Sequence, residues 1–196
     1  MPIIPIADLK KDIHFSTDLC GQKCTFNTTW GLFSPFEIDL GTRWLMSKIE
    51  VGEADSILDI GCGYGPMGIA LAKLAPKGHV DMIDRDFIAV EYANKNALLN
   101  NTKNATAFLS NGFDQIPANK KYDVIVSNLP AKVNKEFFWI LFAEAFEHLN
   151  PGGKFYVVTI AGLQSFIGKN FDKIFGNYQR LFVEKTYTGA LAIKAK

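Results

Sequence analysis

The chain has 196 residues, 48% of them hydrophobic and 21% charged, the composition of one folded domain and not of a disordered segment. Its 21 Lys and Arg nearly balance 20 Asp and Glu at a formal net charge of +1, so bulk positive charge does not mark a binder of naked duplex DNA, although a local basic patch stays compatible. No apolar run reaches the length of a membrane span, the opening Met1-Pro2-Ile3-Ile4-Pro5 lacks the pattern of a secretory leader, and three cysteines (Cys20, Cys24, Cys62) are too few for a disulfide framework, so a reducing cytoplasm is the expected setting.

Residues 1–55 are rich in turn-formers and carry no long periodic helix before Gly41–Ile49. From there the chain alternates. Ser56–Ile60 is predicted as a strand and Met67–Leu74 as a helix; His79–Ile83 is a strand and Phe87–Leu99 a helix; Ala105–Leu109 and Tyr122–Ser127 are strands. Lys135–Leu149 reads as a helix stopped by the turn-former run Asn150-Pro151-Gly152-Gly153, and Lys154–Ile160 as the next strand. Gln164–Phe175 is a helix stopped by Gly176, and Tyr178–Lys185 with Tyr187–Lys194 form a final pair of strands. Strands alternating with helices of this length build a parallel sheet covered on both faces, with ligands expected beyond the strands' C-terminal ends. The last pair, having no helix between its members, brings an antiparallel edge. No linker, repeat or low-complexity run divides the chain, so one domain is expected.

The first of these strands runs into Asp59-Ile60-Gly61-Cys62-Gly63-Tyr64-Gly65-Pro66-Met67-Gly68. Glycines at a strand-to-helix turn allow close backbone approach to a ligand. The frame Gly63-x-Gly65-x-x-Gly68 also satisfies the dinucleotide fingerprint, which by itself is weak. Asp59 weighs against a pyrophosphate, because a carboxylate near the loop mouth repels an anion and attracts a cation. Asp84, at the end of the neighbouring strand, is placed to accept both hydroxyls of a ribose or to cap the helix that follows.

The run ILDIGCGYGPMGIALA, followed by an acid at the next strand end, resembles the cofactor-binding core of class I S-adenosylmethionine-dependent methyltransferases. Gly31-Leu32-Phe33-Ser34, Asp39-Leu40-Gly41-Thr42, Ser110-Asn111-Gly112-Phe113, the stretch YDVIVSNLPA and Phe175-Gly176-Asn177 extend the likeness to the small methyltransferase domain group, which includes the ribosomal RNA small-subunit guanine-N2 methyltransferases. The resemblance implies a Rossmann-like, seven-stranded, mostly parallel sheet with an antiparallel C-terminal edge strand and helices on both faces. Residues 1–50 would form a segment over cofactor and substrate, and residues 51–196 the catalytic core. It implies S-adenosyl-L-methionine held by Asp59, Gly61, Gly63, Asp84, Asn111 and Gly112, with Asn111 accepting from the adenine amine.

The family's Asn-Pro-Pro-aromatic tetrapeptide becomes Asn128-Leu129-Pro130-Ala131 here. By resemblance, Asn128 and the Leu129 carbonyl orient an exocyclic amine, with Pro130 keeping Leu129 extended. Ala131 supplies no stacking plane. Trp30, Phe33 or the Phe137-Phe138-Trp139 cluster could replace it, although core packing is the expected role of these rings.

The implied activity is N-methylation of guanine N2 in ribosomal RNA. Transfer to a protein amide or small-molecule amine, and a cofactor-binding RNA or assembly partner without turnover, remain open, as does the choice between monomer and homodimer. Lys132, Lys135 and the basic tail Lys169, Lys173, Arg180, Lys185, Lys194 and Lys196 are compatible with RNA contacts. No metal is expected: Cys20, Cys24 and His14 fall short of a four-ligand site.

Overall fold

The computed structural model describes residues 4–195; Met1–Ile3, where the leader reading begins, and Lys196 of the basic tail lie outside the described residues. The chain opens with a short helix α1 (Ile6–Leu9) and a hairpin, β1 (Ile13–Leu19) and β2 (Gln22–Thr28), and continues with α2 (Leu40–Met46). The alternating part follows as β3 (Ser56–Ile60), α3 (Pro66–Leu74), β4 (His79–Asp84), α4 (Phe87–Leu99), β5 (Ala105–Leu109), β6 (Tyr122–Asn128), α5 (Lys135–His148), β7 (Leu149–Ile160), α6 (Gln164–Phe175), β8 (Gln179–Val183) and β9 (Tyr187–Ile193).

Seven strands form one sheet in the order β5-β4-β3-β6-β7-β9-β8. β3 pairs parallel with both β4 and β6, so the chain winds outward from β3 in two opposite directions. This reversal opens a crevice at the C-terminal ends of β3 and β6. β9 runs antiparallel to β7 and to β8, and it sits between them, which leaves β8 at the edge. Two cores cover the two faces. One, including Ile57, Met82, Ile69 and Ala93, lies under α3, α4 and the hairpin. The other, including Leu58, Ile125, Phe142, Phe155 and Phe171, lies under α5 and α6 and takes much of the chain's phenylalanine as tilted and edge-on ring pairs. No helix among the described residues is long and apolar enough to cross a membrane.

Two features depart from the expected pattern. The N-terminal segment holds a β-hairpin whose turn, Cys20-Gly21, has positive φ at both residues (56° and 74°), the pairing of a tight type I′ turn. Asp18 Oδ1 accepts from Gly21 N–H at 2.8 Å and fixes that turn. β2 then docks on α4 through side-chain amides. Asn96, wholly buried, accepts from Asn27 N–H at 2.7 Å and donates to the carbonyls of Asn27 and Tyr64 at 2.9 Å, and Asn100 brackets Thr25 in the same way. The second departure is Asn150–Gly153, which is no free turn. It is a bulge inside β7, where the register against β6 jumps between Tyr122 and Val124, and Asn150 is tied by its amide to Asp123 Oδ1 at 2.7 Å.

Candidate active site

A cleft of about 530 Å³ opens at the sheet's reversal point. Its floor is the turn from β3 into α3. Gly61, Gly63 and Gly65 have φ of 69°, 56° and 91°, a region that costs any residue with a Cβ. The N–H groups of Gly61 and Cys62 donate to Ile83 O at 2.8 and 3.0 Å, and Gly63 N–H donates to Asp84 Oδ2 at 2.9 Å. A Cβ on Gly61 or Gly63 meets nothing within 4 Å, and both residues line the cleft, so their open sides face a ligand's space.

Asp59 does not stand at the mouth of this loop. Its side chain is wholly buried behind it, Oδ2 accepts from Gly68 N–H at 2.8 Å, and Oδ1 has no partner among the described residues. Alternation along β3 explains the placement: residue 59 shares the face of Ile57, toward α3, and does not line the cleft. Burial above all, with the negative charge of Asp84 adding, pushes its carboxyl up to about 7, and the Gly68 N–H opposes the rise. Asp84 does line the cleft, half-buried, and Oδ1 accepts from Asp86 N–H at 3.0 Å. The cap of α4 is Asp86, which accepts from Ile88 N–H at 2.8 Å, so Asp84 does not carry the capping role considered for it.

Asn111 and Gly112 form part of the wall that follows β5. Gly112 has φ 59°, and Ser110 Oγ donates to Gly112 O at 2.6 Å, which fixes an Asn-Gly turn with the Asn111 side chain exposed. At the end of β6, Asn128 lines the cleft with both amide hydrogens engaged. Nδ2 donates to Asp39 Oδ2 and to Thr42 Oγ1, each at 3.0 Å. Leu129 N–H donates to Val158 O at 2.8 Å, its carbonyl accepts a long 3.4 Å bond from Thr159 Oγ1, and its side chain is buried in the α5–α6 core. An apolar residue in place of the family's first proline thus fills core, and the same residue also lines the cleft. Pro130 and Ala131 are exposed at the mouth.

The aromatic rings divide. Phe137 lines the cleft and Trp139 is 46% exposed, against expectation, whereas Phe138 is core, as expected, at 2% exposure. Phe33 is not: its ring is 68% exposed and lines the cleft, and nearby in sequence Trp30 is 60% exposed. The backbone around Phe33 is nonetheless fixed. Ser34 has φ 48°, its hydroxyl donates to Glu37 O at 2.7 Å, and Tyr64 OH reaches Ser34 O and Glu37 O at 3.2 and 3.3 Å, while Leu32 turns inward. Sequence reasoning also gave no role to Asp39, Thr42 or Tyr187. The visible signal was Asp39 immediately before a helix: Thr42 N–H donates to its carboxylate at 3.1 Å. His79 and His148 are occupied elsewhere, by Asp81 Oδ1 and by Lys120 O. Cys20 Sγ donates to Met46 O, and Cys24 is buried in the core.

A backbone cradle of open glycines, an acid at the adjoining strand end and an unpaired buried carboxylate oxygen behind the loop fit a cationic adenosyl cofactor, and they define a class I S-adenosylmethionine-dependent methyltransferase. The chain matches the methyltransferase small domain over residues 23–188 and belongs to that family. It is 35% identical over 145 residues to the uncharacterized protein YbxB of Bacillus subtilis, covering 74% of this chain and 72% of that protein. It is 31% identical over 180 residues to ribosomal RNA small subunit methyltransferase C of Salmonella gallinarum, covering 87% of this chain and 51% of that enzyme. A solved structure of the T. thermophilus 16S rRNA N2 G1207 methyltransferase RsmC, in complex with AdoMet and guanosine, superposes with a TM-score of 0.83 at 26% identity, over 92% of this chain and 50% of that one. The chain therefore spans about half the length of its methyltransferase C relatives.

Proposed function

We propose that this protein methylates the exocyclic N2 amine of a guanine in small-subunit ribosomal RNA. The observation that carries the reading is Asn128. Its two amide hydrogens are consumed inside the protein, no protein donor meets its Oδ1 among the described residues, and the next residue, Leu129, also lines the cleft and would supply its carbonyl. Two neighbouring oxygens suit the two hydrogens of a planar amine. Accepting both turns the nitrogen lone pair out of conjugation and holds it toward the cofactor end of the cleft, and the same carbonyl dipoles favour the positive charge that develops on nitrogen.

Gly61, Gly63 and Asp84 would hold S-adenosylmethionine, Asp84 through ribose hydroxyls, with Asn111 at the adenine and Asp59 acting from behind the loop. When bound, that cofactor supplies a methyl group made electrophilic by its sulfonium. Phe33 provides the flat apolar surface that Ala131 lacks, against which a purine can stack. The T. thermophilus relative, a 16S rRNA N2 G1207 methyltransferase solved with guanosine, supports guanine as the acceptor.

Incubating the protein and S-adenosylmethionine with small subunits or small-subunit RNA lacking the modification, then digesting to nucleosides for mass spectrometry, tests this directly. N2-methylguanosine at one position is the expected product. A methylated base of another kind, or methylated protein alone, contradicts it.

A further inference from the structure

We propose that Asp39 is a positioning residue for the acceptor, holding the Asn128 carboxamide in the one orientation that presents oxygen to an incoming amine. A carboxamide can turn over by half a rotation and exchange its oxygen for its NH2 with little change in shape. The flipped form would offer the amine two donors where it needs acceptors. Asn128 Nδ2 lies 3.0 Å from Asp39 Oδ2 and 3.0 Å from Thr42 Oγ1. The hydroxyl could face either end of an amide, but an ionised carboxylate only accepts, so it selects nitrogen.

The carboxylate is itself held from two elements. Oδ2 also takes Thr42 N–H from the first turn of α2, and Oδ1 takes the phenol of Tyr187 from the start of β9, whose own ionisation this bond and its burial push up to about 12. The packing leaves no slack. A Cβ on Gly41 would lie 2.7 Å from the Tyr187 ring and 3.0 Å from Asp39 Oδ2. The start of α2 and the start of β9 thus converge on one carboxylate, and the group it aims is Asn128 at the end of β6.

The inference rests on the acceptor role proposed for Asn128. D39S keeps a cap for α2 but is too short to reach Asn128, whereas D39N keeps an oxygen that can accept from both donors. In D39S, kcat is expected to fall about tenfold or more with S-adenosylmethionine affinity by calorimetry unchanged; D39N recovers most of the loss, and D39S adds no further loss in an N128A background. The Asn128 side-chain NH2 resonances, assigned by their disappearance in N128A, give a reading independent of turnover. They should be protected from exchange in the parental protein and in D39N, and unprotected in D39S. Parental turnover in D39S, losses that multiply in the double variant, or unchanged amide protection overturns the proposal. A parental protein that methylates nothing removes the acceptor reading of Asn128, while the resonances still decide whether Asp39 orients it.

Discussion

At the scale of single residues, the site combines groups aimed at a ligand with groups that aim them. Asp59, proposed to act from behind the loop, would be of the second kind, and its burial has a thermodynamic consequence. With its carboxyl moved from 3.8 to about 7, the folded chain keeps a proton between those values that the unfolded chain releases. Stability therefore falls as pH rises through that window and falls no further on this account above it, by at most about 4 kcal/mol for a shift of this size. Asp59→Asn should abolish that part of the slope. Urea unfolding at about pH 5 and about pH 8 measures it, and an equal slope in parent and variant would mean another group is responsible. Phe33, which lines the cleft, is proposed to be of the first kind. Phe33→Ala should raise KM for the RNA about tenfold or more, the scale of one lost base stack, and leave cofactor affinity alone. Phe36→Ala is the matched comparison, because Phe36 is 72% exposed but does not line the cleft. Equal effects of the two would make the loop's apolarity, and not stacking at the cleft, the relevant property.

At the scale of elements, most boundaries from β3 through α6 were legible because each element carries its own period and its own stop signal, but the start of β7 was not, since Asn150–Gly153 reads as a turn and is a bulge within the strand. The glycine loop and the strand-end acids were legible for the same local reason. The N-terminal hairpin was not. Its turn is Cys20-Gly21 in place of an Asn-Gly pair, and although β1 alternates Ile13, Phe15 and Leu19 with polar residues, β2 is mostly polar with Phe26 its one large apolar residue. What fastens it is a set of amides on α4, some 70 residues away in sequence, a non-local arrangement that no local pattern announces. Asn96→Ala leaves backbone groups of Asn27 and Tyr64 without their partner, and should cost about 2–4 kcal/mol in denaturant unfolding. A smaller loss would mean water replaces the amide. Asp39 was given no role from the sequence; its cap is a local pattern that could have been read there, but its other partners, Asn128 and Tyr187, come from β6 and β9 and meet it only in the fold. Gly41→Ala should push Tyr187 from Asp39 and cost about 1–3 kcal/mol as overpacking, together with turnover. A stable, fully active variant would show that the convergence tolerates slack.

At the scale of the molecule, one topological event places everything. Winding outward from β3 in both directions opens the sheet where β3 and β6 end, so the cofactor loop and Asn128 face one cleft although 60 residues and more separate them. The antiparallel strand β9, one in from the edge, adds Tyr187, and the segment before α2 adds Phe33 and Asp39. Phe33 was misjudged as core because composition cannot tell a ring that packs from one held out over a cleft by a rigid turn. The most direct test is single-turnover transfer of labelled methyl to small-subunit RNA by the parental protein and by Asn128→Ala, with S-adenosylmethionine affinity measured on both. Asn128→Ala is expected to bind the cofactor as tightly as its parent and to transfer about 100-fold or more slowly. Transfer at the parental rate by Asn128→Ala would contradict the assignment of this strand end as the reaction centre.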